Sequence, residues 1–282
     1  MTDVQAPPPA SAQIAAPALD HVSAAIIAVL AGAGLAVTAR SGGVALLVAV
    51  AVVQAALVAA WIIGTGLPGR IGAAVLAVMA AAAADTVTSL WPHAQLGALL
   101  AVFGLMMPVA FVHQLTRGVV RNRVVESLAD IATLIVSVVA LTALIQLRHE
   151  LLPMVTAFTV VLVAAVALAL GDLVDLIFVT PRFDPNVRRG LPAVIAGGLA
   201  GGVLARLELG GQADFTAGRA IFLGAAIGVL AGLFAVGSAF IQAATSIPRS
   251  GRAVRWQPVF GALLPLALVS PVAYLLCLSI HS

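Results

Sequence analysis

The chain is poor in everything a water-facing surface is made of. Charged residues are 9% of its 282 positions, lysine is absent, and aromatic residues are 5%. A soluble domain carries roughly 25% charged residues. Eleven acids and fourteen arginines cannot cover the surface of a 282-residue globule, so a soluble fold is excluded. The 62% content of apolar residues excludes a disordered chain. Strict polar/apolar alternation is also missing, which disfavours a β-barrel. There is a single cysteine, Cys277, so no internal disulfide and no paired-cysteine metal site is available. No Walker loop, HExxH or Gly-x-Ser-x-Gly motif occurs.

What is present is long apolar runs. A spanning helix needs roughly 20 mostly apolar residues, and nine such runs lie near 22–39, 43–63, 70–90, 95–113, 127–147, 151–179, 190–206, 217–246 and 258–280. The expected fold is therefore all-α, a polytopic integral membrane bundle of about nine transmembrane helices. Residues 1–21 are Ala/Pro-rich, lack the basic stretch of a signal peptide, and contain Pro7, Pro8 and Pro9, which favour extended over helical backbone. They are expected to form a disordered cytoplasmic tail. Helices one to four (22–119) and five to nine (120–282) are expected to form two parts.

The choice of arginine over lysine, with the high alanine and valine content, reads as GC-rich coding. A net charge of +3 gives no reason to expect nucleic acid as a partner. Arginine position is more telling. With the N-terminus inside, ten arginines fall in inner loops, and Arg40, Arg148, Arg206 and Arg219 fall outside. The positive-inside rule then places the N-terminus in the cytoplasm and the C-terminus outside a cell membrane, here a bacterial inner membrane. Two inner loops, TPRFDPNVRR (180–189) and IPRSGRAVRWQ (247–257), cluster Arg182, Arg188, Arg189, Arg249, Arg252 and Arg255. Clustered guanidinium groups either bind phosphate, here of anionic phospholipid, or only set topology.

Ionisable groups inside the spans are few. Asp172 and Asp175 share a helix face in GDLVDLIF. They could hold a divalent metal, share a proton, or pair with Arg182 or Arg188. Asp85 is deeper and is flanked by Thr86 and Thr88 as local hydrogen-bond partners, whereas Asp130, His93 and His113 read as interfacial. Gly197 and Gly201, with Gly198 and Gly202, form interleaved GxxxG pairs, and Gly224, Gly228 and Gly232 continue a second stripe. Small residues at this spacing let helix backbones meet.

The C-terminal half resembles the CDP-diacylglycerol synthase (phosphatidate cytidylyltransferase) family. The resemblance rests on GDLVD (171–175), PRFDP (181–185) followed by GGLAGG, GSAFIQAATS (237–246), SGR (250–252) and PVAYLL (271–276). It implies a helical membrane fold with a site at the cytoplasmic helix ends for CTP, phosphatidic acid and Mg2+. The family's carboxylates, however, fall on Ser238, Ile241, Gly261 and Leu264. Its Lys-Arg pair falls on Thr245 and Ser246, and its catalytic-loop residues fall near Asp184, Asn186 and Val187. A metal-assisted nucleotidyl transfer needs oxygen ligands that these residues do not supply. The expected function is that of a non-catalytic, cofactor-free relative binding a lipid, a partner protein or a second copy of itself. The alternatives are an active cytidylyltransferase using Mg2+, and a secondary transporter working through Asp85 and Asp172/Asp175. The absence of internal prolines other than Pro108 speaks weakly against the broken helices of a transporter.

The arginine distribution generates a first test. In intact cells, a cysteine placed in the N-terminal tail should be shielded from an impermeant thiol reagent, whereas Ser282→Cys should label. Labelling of both ends, or of neither, would contradict an odd number of spans.

Overall fold

The computed structural model describes residues 10–65, 69–91, 95–116, 124–149, 154–178, 180–184, 187, 189–212, 215–244 and 251–281, the side chains of 10–19, 95, 154, 251–254 and 281 excepted. The described residues form ten helices and no strand. These are α1 (Ala10–Ser41), α2 (Gly43–Thr65), α3 (Arg70–Leu90), α4 (Gln95–Thr116), α5 (Val124–Leu141), α6 (Ala143–His149), α7 (Met154–Ile177), α8 (Leu191–Leu209), α9 (Ala217–Ala244) and α10 (Gly251–His281). Among them are nine stretches long and apolar enough to cross a membrane, with α5 and α6 together forming the fifth. The protein is an all-α polytopic bundle. Its spans coincide with the nine apolar runs to within a few residues.

Two turns depend on glycine. Gly42, at φ 155°, separates α1 from α2, and Gly69, at φ 73°, precedes α3. Both values lie where L side chains are disfavoured. The first helix extends N-terminally beyond the apolar run. Residues 10–21, expected as part of the tail, are helical, while the three prolines lie outside the described residues.

The helices pack in two groups that share α10. In one, α1 lies on α7, α7 on α8, and α8 on α9; in the other, α5 contacts both α3 and α4, and α2 lies on α3. Packing thus crosses residue 119, joining the first helix to the second half and the fifth to the first. α10 touches α1, α2, α5, α7 and α9. It is helical through Pro258, Pro265 and Pro271, so Pro108 is not the only proline inside a helix. Neighbouring helices allow this, because they shield the carbonyls that proline leaves unpaired. Trp61 of α2 packs against Phe260 of α10, with ring centroids 4.8 Å apart at 59°.

The glycine stripes meet as expected. A Cβ on Gly224 would collide with the Gly201 carbonyl, and one on Gly228 with the Gly197 carbonyl. At Gly232 it would lie 3.0 Å from the Val194 Cα. The α8–α9 seam is therefore backbone against backbone. Nothing lies within 4 Å of a Cβ built on Gly34 or Gly104. Gly228→Ala should destabilise the purified protein by at least the ~1–3 kcal/mol of core overpacking, because the obstacle is backbone. Gly34→Ala and Gly104→Ala should leave its melting temperature unchanged or slightly raised. Tolerance of Gly228→Ala would show that the seam is not tight.

Candidate functional site

The end of α7 and the start of α8 are joined by the loop that the sequence marks as arginine-rich. An antiparallel bridge pairs Arg182 with Gly190, and the Leu191 N–H donates to the Pro181 carbonyl at 3.2 Å. This hairpin-like return brings Arg189 back over α7. Its Nη2 lies 2.8 Å from Asp172 Oδ1, and its Nη1 lies 3.8 Å from Asp175 Oδ2. The Gly190 N–H donates to Asp175 Oδ1 at 3.0 Å. From α1, His21 Nδ1 lies 2.9 Å from Asp172 Oδ1. Asp172 is 1% exposed and Arg189 6%.

Two carboxylates here meet one guanidinium and one imidazole. Charge inside a membrane protein is tolerated when it is paired in this way. The two aspartates thus do pair with an arginine, as one expectation had it, but the partner is Arg189. Arg182 is exposed and Arg188 lies outside the described residues. Arg189 in turn cannot serve as a surface phosphate clamp, because its guanidinium is committed inward. Arg255 is exposed, Arg249 lies outside the described residues, and the Arg252 side chain is outside the description. With a guanidinium between them, Asp172 and Asp175 are a poor metal pair. Among the described residues no three His, Cys, Asp or Glu side chains are grouped to hold a metal ion.

A cavity of about 170 Å3 opens beside this cluster. α1 contributes Asp20 and His21 to its wall, and α7 and the loop contribute Asp172 and Arg189. α9 adds Ser238 and Gln242, and α10 adds Gln257 and Gly261. The starts of the first, seventh and ninth spans and the ends of the sixth and eighth meet here, as alternating spans require. The cavity therefore lies at the end of the bundle from which the first span departs. One buried water needs roughly 10–15 Å3 of such volume, so the space suits a small polar molecule or a lipid headgroup. Ser238 is buried and donates to the Ala235 carbonyl at 2.8 Å. Gly261 leaves room that a side chain would fill: its Cβ would lie 3.3 Å from Gln242 Nε2.

No family model, curated protein or solved structure matches the chain.

The remaining candidates lie elsewhere. Asp85 belongs to a separate buried cluster: it accepts from Thr142 Oγ1 at 2.7 Å and from Gln54 Nε2 at 3.2 Å. Its partners come from α2 and from the α5–α6 junction, not from the flanking threonines. Asp130 is half-buried in the second turn of α5, and the His113 ring lies over Gly72, where a Cβ would collide with it. His93 lies outside the described residues. Reasoning from sequence missed His21, Gln242 and Gln257. His21 carried a signal, since it is a polar residue directly preceding an apolar run. The two glutamines carried none.

Removing one partner of a buried charge pair typically costs about 3–5 kcal/mol, because the other charge is left uncompensated. Arg189→Ala should therefore lower the melting temperature of the detergent-purified protein sharply. Adding Asp172→Asn to Arg189→Ala should recover part of the loss. An additive double variant would mean that the two residues do not act as a pair.

Proposed function

We propose that this is a non-catalytic membrane protein that binds the headgroup of an anionic phospholipid at the cytoplasmic end of its bundle. One observation carries the reading. Two of the stretches on which the cytidylyltransferase resemblance rests, GDLVD and GSAFIQAATS, line one cavity through Asp172 and Ser238, beside Arg189 and Gly261. Where the resemblance expects metal-binding carboxylates, that cavity has the Ser238 hydroxyl and Gly261, and its Asp172 is paired with Arg189, which also reaches Asp175. The amides of Gln242 and Gln257 suit a hydroxyl-bearing headgroup. The exposed Arg182 and Arg255 suit its phosphate at about 1 kcal/mol each near a membrane surface. On this reading the protein sits in the cell membrane with its N-terminus in the cytoplasm, and a partner protein or second copy would read out the bound lipid.

The test is lipid mass spectrometry on the purified protein alongside an assay with CTP, phosphatidic acid and Mg2+. Phosphatidylglycerol-type lipid should be enriched over the surrounding membrane. It should fall several-fold in Arg182→Gln/Arg255→Gln and in Gly261→Leu, which fills the cavity. No CDP-diacylglycerol should form. CTP-dependent turnover abolished by Asp172→Asn would restore the enzyme, and lipid content unchanged in both variants would remove the lipid reading.

A further inference from the structure

The second polar cluster lies well inside the membrane and is built around an interrupted helix. The fifth span is broken at Thr142, between α5 and α6. The Thr142 N–H donates to the Val139 carbonyl at 3.2 Å, a tightened i→i−3 turn in place of the α-helical bond to Val138. The break lies seven residues before His149, roughly 10 Å along the helix axis from the end of the span. Irregular backbone at such depth persists only where protein covers it or where it lines a site. Here protein covers it: Val138, Leu141, Thr142 and Ala143 are each 0% exposed.

Gln54, at the middle of α2, faces the break. Its Nε2 lies 2.9 Å from the Val138 carbonyl, 3.1 Å from Thr142 Oγ1 and 3.2 Å from Asp85 Oδ1. A carboxamide nitrogen has two hydrogens, and three oxygens converge on it. The single Thr142 hydroxyl hydrogen is directed to Asp85 Oδ1, so that oxygen presents a lone pair to the same point. One carboxylate, one backbone carbonyl at a helix C-terminus and one hydroxyl thus surround a position held by a weak, neutral donor. One turn beyond Asp85 on the same face of α3, Thr88 Oγ1 is buried with no hydrogen-bond partner. Both hydrogen-bonding partners of Asp85 are neutral, and a buried carboxylate is costly without a counter-charge.

We infer that Asp85, the Val138 carbonyl, Thr142 and Gln54 form an intramembrane sodium site, with the Gln54 amide standing where the ion binds. A single carboxylate matches a single positive charge, and hard oxygen donors match an alkali cation rather than a softer metal. A side-chain rotation of Gln54 that withdraws Nε2 from this point and turns Oε1 toward the vacated position adds a fourth oxygen. Carbonyls at the C-terminal end of a broken helix are the groups that discontinuous transmembrane helices present to such ions. The inference does not depend on lipid binding, since the cavity and this cluster share no residue.

The experiment is thermal unfolding of the full-length protein in detergent, in NaCl against choline chloride at equal ionic strength. A ligand that binds only the folded state raises the melting temperature with concentration. The wild type should gain several degrees in NaCl, saturably, over choline chloride. Asp85→Asn should lose the response, Thr142→Val should weaken the apparent sodium affinity at least tenfold, and Thr142→Ser should retain it. Should Asp85→Asn fail to fold, the Thr142 pair decides the matter. Equal melting in NaCl and choline chloride, equal responses to NaCl and KCl, or an undiminished response in Asp85→Asn or Thr142→Val would overturn the inference.

Discussion

The guanidinium of Arg189 between Asp172 and Asp175 is the contact on which the organisation of one end of the bundle depends. It adds a buried ion pair to the backbone contacts at Gly190 that return the loop between α7 and α8 over α7. Without it Asp172 and Asp175 would keep only His21 and the Gly190 N–H as partners. Through Asp172 the same cluster reaches His21, so the first helix is tied to the seventh by this polar contact as well as by packing. The cavity follows from this arrangement. Its floor is the charged cluster, and its walls are the ends of α9 and α10 that stand opposite.

The helices of this group also approach one another closely. Between α8 and α9 the backbones meet through Gly197, Gly201, Gly224 and Gly228. The interior of α7 is largely alanine and valine, including Ala164, Ala167 and Val163, all almost fully buried. Lipid tails are as apolar as leucine, so large side chains gain little by turning inward. Small ones gain van der Waals contact over whole backbones. The larger side chains accordingly remain on the lipid-facing side: Leu199, Val203 and Leu207 of α8 are among the most exposed residues.

Much of this was legible in the sequence, for physical reasons that also mark where legibility ends. A bilayer imposes one length and one composition on every span, so nine helices could be counted from hydropathy alone. The glycine seam was readable because a four-residue repeat of small side chains has one main use in a membrane. The pairing of Arg189 was not readable. Arg182, Arg188 and Arg189 sit in one short loop, and which of them turns inward is decided by the return of the chain at Gly190. The break at Thr142 was invisible for a related reason. Residues 138–147 are uniformly suited to a continuous helix, and the interruption is stabilised by Gln54, some 88 positions away in the chain. The partners assigned to Asp85 from its sequence neighbours were local, whereas the real ones lie across the bundle.

The two polar clusters solve the same problem in opposite ways. At the bundle end, two carboxylates are met by a permanent cation from the chain itself, Arg189, and the result is a fixed structure beside an open cavity. Around Asp85 the chain supplies only neutral donors, and it gives up a helical hydrogen bond to bring a carbonyl and a hydroxyl to the same point. Gln54 and Thr142 thus leave Asp85 without a counter-charge of the kind that Arg189 gives Asp172. α10 lies against both helix groups, and it brings Gly261 and Gln257 to the cavity wall while packing Phe260 on Trp61 of α2.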